Sequence, residues 1–264
     1  HPPRHPRPFA KLAVVHQRHA KIFDRSNPTH QDQTLILVLG IGPVEYFGMS
    51  MMNYSKFRKG TGLPGWVGMA FRYFVPIVVL TIAGWSYLLN ATFVQWAVYL
   101  AVVLHFMKRV LESLFLHRYS GPIDWSTTVL IACVYSLASG MLGFVNREPL
   151  PAPDLWFSVG VFLFVVGVAG NFYHHKLLAD LRKNSLEYFI PKGGLFEYVV
   201  CPHYLFEILI WLGISLLSRH LVAFIILFFI VFYLSARALR VLKWYHEKFK
   251  DFPKDRKAIL PFVL

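Results

Sequence analysis

The residues with most chemistry to offer lie between Asn171 and Glu207, in the stretch NFYHHKLLADLRKNSLEYFIPKGGLFEYVVCPHYLFE. It leaves one apolar segment and crosses a polar connection carrying Lys176, Arg182, Lys183, Tyr188 and Lys192. Gly193-Gly194 closes the connection, and His203, Tyr204 and Glu207 follow on the way into the next apolar segment. So many donors squeezed between two apolar segments suggest an anionic ligand. Arginine suits phosphate oxygens because its planar fork binds them two at a time. For any single arginine the plainer reading is a flank of an apolar segment. Glu207 stands i,i+4 from His203, and a buried carboxylate needs hydrogen-bond partners, from a ligand or from a neighbouring helix. Upstream, His105, Arg109 and Glu112 recur at helical spacing and share a face, with Lys108 beside them.

The elements that must position these groups are apolar. The chain of 264 residues is 56% hydrophobic and only 16% charged, with a mean hydropathy of +0.47. Soluble chains carry about 25% charge, so this composition points to an integral membrane protein. A net charge of +13 and a pI near 9.8 would suit nucleic acid. Here the basic residues interrupt apolar runs instead of forming one soluble face. Lipid headgroups and membrane topology account for them better, and no nucleic-acid partner is expected. Cys133 and Cys201 lie apart in apolar surroundings and are read as buried free thiols. The usual spacings for a metal site, a serine nucleophile or a P-loop are absent.

Residues 1–33 read as a basic, Pro-rich surface arm, lacking the apolar core of a cleavable signal. The chain opens on His1, not on a methionine, which suggests that the natural N-terminus lies outside it. Residues 34–264 read as one membrane domain with seven apolar runs: Thr34–Met52, Trp66–Leu89, Ala91–Met107, Thr127–Val145, Leu155–Tyr173, Tyr198–Ser218 and Leu221–Leu239. The first contains Glu45, a carboxylate that is costly inside a span. In the fifth, Gly160, Gly167 and Gly170 should let a neighbouring helix approach closely. The expected fold is all-α, with about seven transmembrane helices enclosing a cavity. The connections after runs one, three and five and the C-terminal end hold most of the Lys and Arg, whereas the opposite connections hold only Arg147 and Arg219. The positive-inside rule then puts the C-terminus in the cytosol, against the pull of the basic N-terminal arm.

Four motifs carry a family likeness: HFMKRVLESLFLHRYSG, GNFYHHKLLADLRK, EYFIPKGGLFEYVVCPHYLFEI and KWYHEKFKDFPKDRKAILPFVL. In order and spacing they resemble the C-terminal catalytic domain of the steroid 5α-reductases and the related trans-2-enoyl-CoA reductases, especially the plant steroid 5α-reductase-like members. The likeness covers about 104–264, and the first hundred residues only loosely. It implies NADPH-dependent reduction of a carbon–carbon double bond conjugated to a carbonyl, in a multi-pass protein of the endoplasmic reticulum membrane. It implies cofactor contacts at Asn171, Arg182, Tyr188, Glu207, Arg237, Tyr245 and Arg256, with Arg109 and Arg118 at basic positions of the upstream motif. His203 stands where steroid reductases carry Asn, and His175 where they carry Asp. Phe106 replaces the family's proton-donating tyrosine, and Val241 replaces a histidine. A carboxylate that holds the steroid 3-keto group belongs near 73–75, where this chain has none.

Conjugate reduction needs a hydride over the β-carbon, a polarised carbonyl and a proton for the α-carbon. A nicotinamide would supply the hydride. With Phe106 unable to donate, the candidates are Tyr73, His105 and Tyr204, or water. A phenol can polarise a carbonyl and keep its proton at neutral pH. The expected substrate is a lipid, either a 3-oxo-Δ4-steroid or the enoyl-CoA of very-long-chain fatty-acid elongation. A non-catalytic lipid-binding membrane protein is the remaining alternative. The oligomeric state is not legible.

Overall fold

Six long helices carry the described part of the chain. The computed structural model describes residues 62–264 apart from Ser120, Pro151, 184–186 and Leu264. The N-terminal arm, the run Thr34–Met52 with its Glu45, and the basic connection up to residue 61 lie outside the described residues.

Helix α1 spans Gly65–Leu88 and tolerates Pro76 inside it. Helix α2 spans Phe93–Leu111 and starts on a capping box, with Thr92 and Gln95 satisfying each other's backbone N–H. Its last turn widens into a π-helical turn at Glu112–Leu116. Helix α3, Trp125–Val145, is capped by Asp124, and α4, Leu155–Asp180, by Asp154. A short 3₁₀ turn, Gly194–Glu197, leads into α5, Pro202–Ser218, whose first residue is a proline. Arg219, left-handed at φ 53°, turns the chain into α6, Leu221–Lys248.

Four of these helices, α1, α3, α4 and α6, are long and apolar enough to cross a membrane. At 24 residues α1 reaches about 36 Å, more than a hydrocarbon core of about 30 Å. Helices α2 and α5 coincide with two further apolar runs, but α5 has only 17 residues and α2 carries Lys108 and Arg109 in its last turn. The seven spans expected from hydropathy are therefore four among the described residues. The apolar outer faces, with Trp85, Phe162 and Phe228 exposed, suit lipid.

Helices α4 and α5 touch backbone to backbone, as the small residues of run five foretold. A Cβ on Gly167 would sit 2.7 Å from the Ile210 nitrogen, and one on Gly213 2.7 Å from the Gly160 oxygen. This closeness sets Asn171 on α4 beside Glu207 on α5. The core forms two clusters. One, with Leu80, Val102, Phe106, Ile210 and Ile214, joins α1, α2 and α5. The other, with Cys201, Val241, Tyr245, Phe252 and Ile259, packs the C-terminal tail under α6. Val200 and Cys201 donate their N–H to the Lys257 and Ala258 oxygens, at 2.9 and 3.0 Å, and so clamp the tail. Cys201 is buried, but Cys133 is exposed: α3 turns it outward, against the expectation for both thiols.

Candidate active site

A cavity of about 650 Å³ is walled by all six helices and by both polar connections. Its lining includes four arginines, Arg109, Arg118, Arg182 and Arg237, against a single carboxylate, Glu207. A separate dent between α1 and α3, bordered by Val79, Gly140 and Phe144, has no titratable side chain in its wall.

On α2, His105, Phe106 and Arg109 line the cavity. Arg109 uses both ends of its fork. One nitrogen donates to the Tyr73 hydroxyl oxygen at 2.8 Å, and the other to Glu112 Oε2 at 2.6 Å, with His175 Nδ1 2.8 Å away. The Tyr73 oxygen thus accepts from Arg109 and keeps its own proton for another acceptor. The Tyr73 ring is buried and stacks on Tyr135 with centroids 5.8 Å apart. Phe106, 1% exposed, fills core against Tyr135 and Trp211.

Asn171 is the hinge between α4 and α5. Its amide donates to the His203 carbonyl oxygen at 2.7 Å and to Glu207 Oε2 at 3.2 Å, while its oxygen accepts from Lys108. Lys108 also faces Glu112 Oε1 at 2.8 Å, and Glu207 Oε1 lies 3.2 Å from His105 Nε2. One polar chain therefore links Tyr73, Arg109, Glu112, Lys108, Asn171, Glu207 and His105. Buried polar groups at this density persist only because each finds partners.

Glu112, His117 and His175 bring three ligand-type atoms within 4.8 Å of one another. The Arg109 guanidinium already contacts two of the three, Glu112 and His175. A second cation there would meet direct repulsion, so the arrangement is read as an ion-pair network. In the connection beyond α2, burial and the Arg109 charge push the His117 imidazole below its ordinary value, despite Glu112 at 3.9 Å. Burial raises the neighbouring Tyr119 phenol to about 12.

The polar mouth is built differently. Arg182 stacks over the Tyr188 ring at 4.3 Å, and donates to the Arg118 carbonyl oxygen at 3.4 Å. Tyr188 packs edge-on to Trp244. Arg237 and Tyr245 reach the same cavity from α6, both buried. Gly193 and Gly194 both take positive φ, 87° and 53°, and a Cβ on Gly194 would meet His174 Nε2 at 2.9 Å. His174 accepts from the Leu195 N–H at 3.1 Å and so pins the turn to α4.

The structure gathers Tyr73, His105, Tyr204, Arg109, Arg118, Asn171, Arg182, Tyr188, His203, Glu207, Arg237 and Tyr245 in one wall. Arg256 is the exception. It is buried beside the tail, donating to the Pro191 carbonyl oxygen at 2.8 Å and facing Glu197 at 3.4 Å. Its job there is to hold the connection, not to line the cavity. Sequence reasoning missed Tyr135, Trp211 and Tyr233, which also line the site. Aromatics inside apolar runs carry no signal that separates a cavity wall from a lipid face.

Residues 125–264 match the family model described as 3-oxo-5-alpha-steroid 4-dehydrogenase. The chain belongs to that family. It is 41% identical over 167 residues to 3-oxo-5-alpha-steroid 4-dehydrogenase 2 of Homo sapiens, covering 61% of this chain and 65% of the relative. With 3-oxo-5-alpha-steroid 4-dehydrogenase 1 of Rattus norvegicus the identity is 36% over 170 residues, with the same shares of 61% and 65%. With the very-long-chain enoyl-CoA reductase of Dictyostelium discoideum it is 33% over 178 residues, 66% of this chain and 59% of the relative. The chain thus spans less than two thirds of the length of these curated relatives. The family match includes Asn171, Arg182, Tyr188, Glu207, Arg237 and Tyr245, whereas Tyr73, His105, Arg109 and Arg118 precede it.

Proposed function

We propose that the chain is an NADPH-dependent oxidoreductase that reduces a carbon–carbon double bond conjugated to a carbonyl in a lipid, most directly a 3-oxo-Δ4-steroid. The observation that carries this reading is one cavity wall that combines a cationic rim with a buried phenol held by a guanidinium. Arg118, Arg182 and Arg237 fit phosphate oxygens, and the stacked Arg182–Tyr188 pair presents its fork ready-ordered. Glu207, held by Asn171 and facing His105, keeps lone pairs free to accept from an amide or ribose edge. His203 and Tyr204 sit beside them, their rings 4.4 Å apart. Bound there, NADPH would supply the hydride.

The other requirement is stabilisation of the oxygen that gains charge. Tyr73 meets it: Arg109 donates to its oxygen, which strengthens the phenol as a donor towards a substrate carbonyl. The aromatic surroundings of Phe106, Tyr135 and Trp211 suit a flat apolar molecule. Residues 34–264 would form one reductase domain of the endoplasmic reticulum membrane. The run 34–52, α2 and α5 would bring the spans to seven, with the C-terminus cytosolic. A second reading, enoyl-CoA reduction, is favoured by the likeness to the Dictyostelium enzyme.

The test is purified protein titrated with NADPH, then given progesterone or trans-2-hexadecenoyl-CoA. Micromolar NADPH binding and cofactor oxidation with progesterone are expected. Oxidation with the enoyl-CoA alone would transfer the assignment to the second reading. Absence of NADPH binding would end both, leaving a non-catalytic lipid binder.

A further inference from the structure

Tyr135, half-buried on α3, lines the cavity beside Tyr73. The two rings lie almost parallel, 18° between planes and 5.8 Å between centroids. Phe106, 1% exposed, supports Tyr135 in turn at 5.7 Å. The packing of α1 on α3 sets this pair, and the contacts climb both helices together. Arg72 Nη2 donates to Thr128 Oγ1 at 3.4 Å, Tyr73 then meets Tyr135, and a Cβ on Gly143 would sit 2.9 Å from the Leu80 oxygen. A polar contact on one side and a close backbone approach on the other thus fix the register of the rings. Tyrosine chemistry gives that register a use. The phenol oxygen lies on the Cβ–Cγ axis about which the ring turns, and this torsion is broad. Arg109 holds the oxygen at 2.8 Å, which by itself leaves the turn open. The hydroxyl is conjugated with its ring, so its proton stays near the ring plane. Whatever fixes the plane therefore aims the proton.

We infer that Tyr135 is a positioning residue for Tyr73, fixing the plane of that ring so that the hydroxyl points at the substrate carbonyl. The role rests on the reaction proposed above. Arg109 sets where the oxygen sits, and Tyr135 sets the direction in which it donates. Tyr135 acts on the reaction through Tyr73 and needs no hydroxyl of its own for this. Its flat ring is what counts. A leucine there would remove the flat surface, and the Tyr73 ring could turn while its oxygen stayed with Arg109. Hydrogen-bond donation to a developing enolate oxygen depends steeply on such aim.

Steady-state kinetics with NADPH and the working probe, progesterone or trans-2-hexadecenoyl-CoA, tests this. In Tyr135→Leu, kcat should fall about 10–10²-fold while NADPH affinity stays within about threefold. Tyr135→Phe keeps the ring and should recover most of that loss. The deciding measurement is the double variant. Once Tyr73→Phe has removed the donor, nothing is left to aim, so adding Tyr135→Leu should lower kcat by less than about threefold more. A residue that only shapes the pocket would cost the same in both backgrounds. That result would overturn the inference, as would an unchanged kcat in Tyr135→Leu, and in an active wild type either would leave the reductase reading standing. If leucine spoils folding, Tyr135→Met, unbranched and able to fill the gap, takes its place in the same cycle. A wild type that turns over neither probe would sink the reductase reading, and this role with it.

Discussion

The two ends of the cavity are made by different means. The end proposed for the cofactor is built from α4, α5, α6 and the connections after α2 and α4, and its arginines run from the exposed Arg118 to the buried Arg237. The end proposed for the carbonyl is built from α1 and α2, where one hydroxyl is set by one guanidinium. Phosphate recognition tolerates several arrangements, because charge acts at a distance and more than one arginine can share it. Carbonyl polarisation does not, since a donor must sit within hydrogen-bond reach of one atom. The first end should therefore fail gradually under mutation and the second abruptly.

The largest expected effect is at the joint of the carbonyl end. Replacing Arg109 with Met removes a cation from Glu112, whose side chain is only 2% exposed. Leaving a buried ion short of its partner costs about 3–5 kcal/mol, towards the lower figure here because Lys108 still faces the same carboxylate. Thermal unfolding in detergent should report it, and steroid-dependent NADPH oxidation should fall with it. A variant that melts with the wild type would show that Glu112 has other sufficient partners.

Next comes Tyr73→Phe, which keeps the ring stacked on Tyr135 and deletes only the donor. The expected loss is about 10²–10³-fold in kcat, with NADPH affinity unchanged. A fall in cofactor affinity instead would move Tyr73 to the other end of the cavity and remove the contrast between the two ends. Arg182→Ala should do the opposite. It should raise the KM for NADPH about 10–100-fold, the worth of a lost charge-assisted hydrogen bond, and leave kcat nearly intact.

How much of this was legible follows the same division. Arg118, Arg182, Arg237, Asn171 and Glu207 are legible as a set only through the family resemblance, because a lone arginine beside an apolar run reads equally well as a flank of that run. Helix limits were legible where polarity and helicity end together. They were not on α4, which continues past Tyr173 to Asp180 through the polar His174, His175 and Lys176. Nor were they on α6, which runs on to Lys248. Hydropathy marks where a membrane could end, and a helix may be satisfied by protein beyond that point. Arg256 looked like its neighbours in charge and spacing. Only the fold shows that it is spent on the Pro191 carbonyl. Tyr73 was legible as a candidate by position, but its partner Arg109, 36 residues away, was visible only in three dimensions.

The smallest effect expected belongs to His117, which lies where the two ends meet. Its ring is 5.1 Å from His175, Glu112 is 3.9 Å away, and Arg118 follows it in the chain. Burial comes first among the causes that hold its imidazole below the ordinary value of 6.5, and Arg109 adds to it. A base weakened by folding is protonated more readily in the unfolded chain. The folded state therefore binds fewer protons as pH falls below 6.5, and stability contributed by the neutral ring is present above that point and fades beneath it. His117→Gln should flatten part of the acid-side slope of the melting temperature between neutrality and pH about 5, while leaving the value above pH about 7.5 close to wild type. An unaltered slope would assign the acid sensitivity to other groups. A slope made steeper would mean that the Glu112 carboxylate outweighs burial at this position, tying His117 to the carbonyl end as a charged partner of that network.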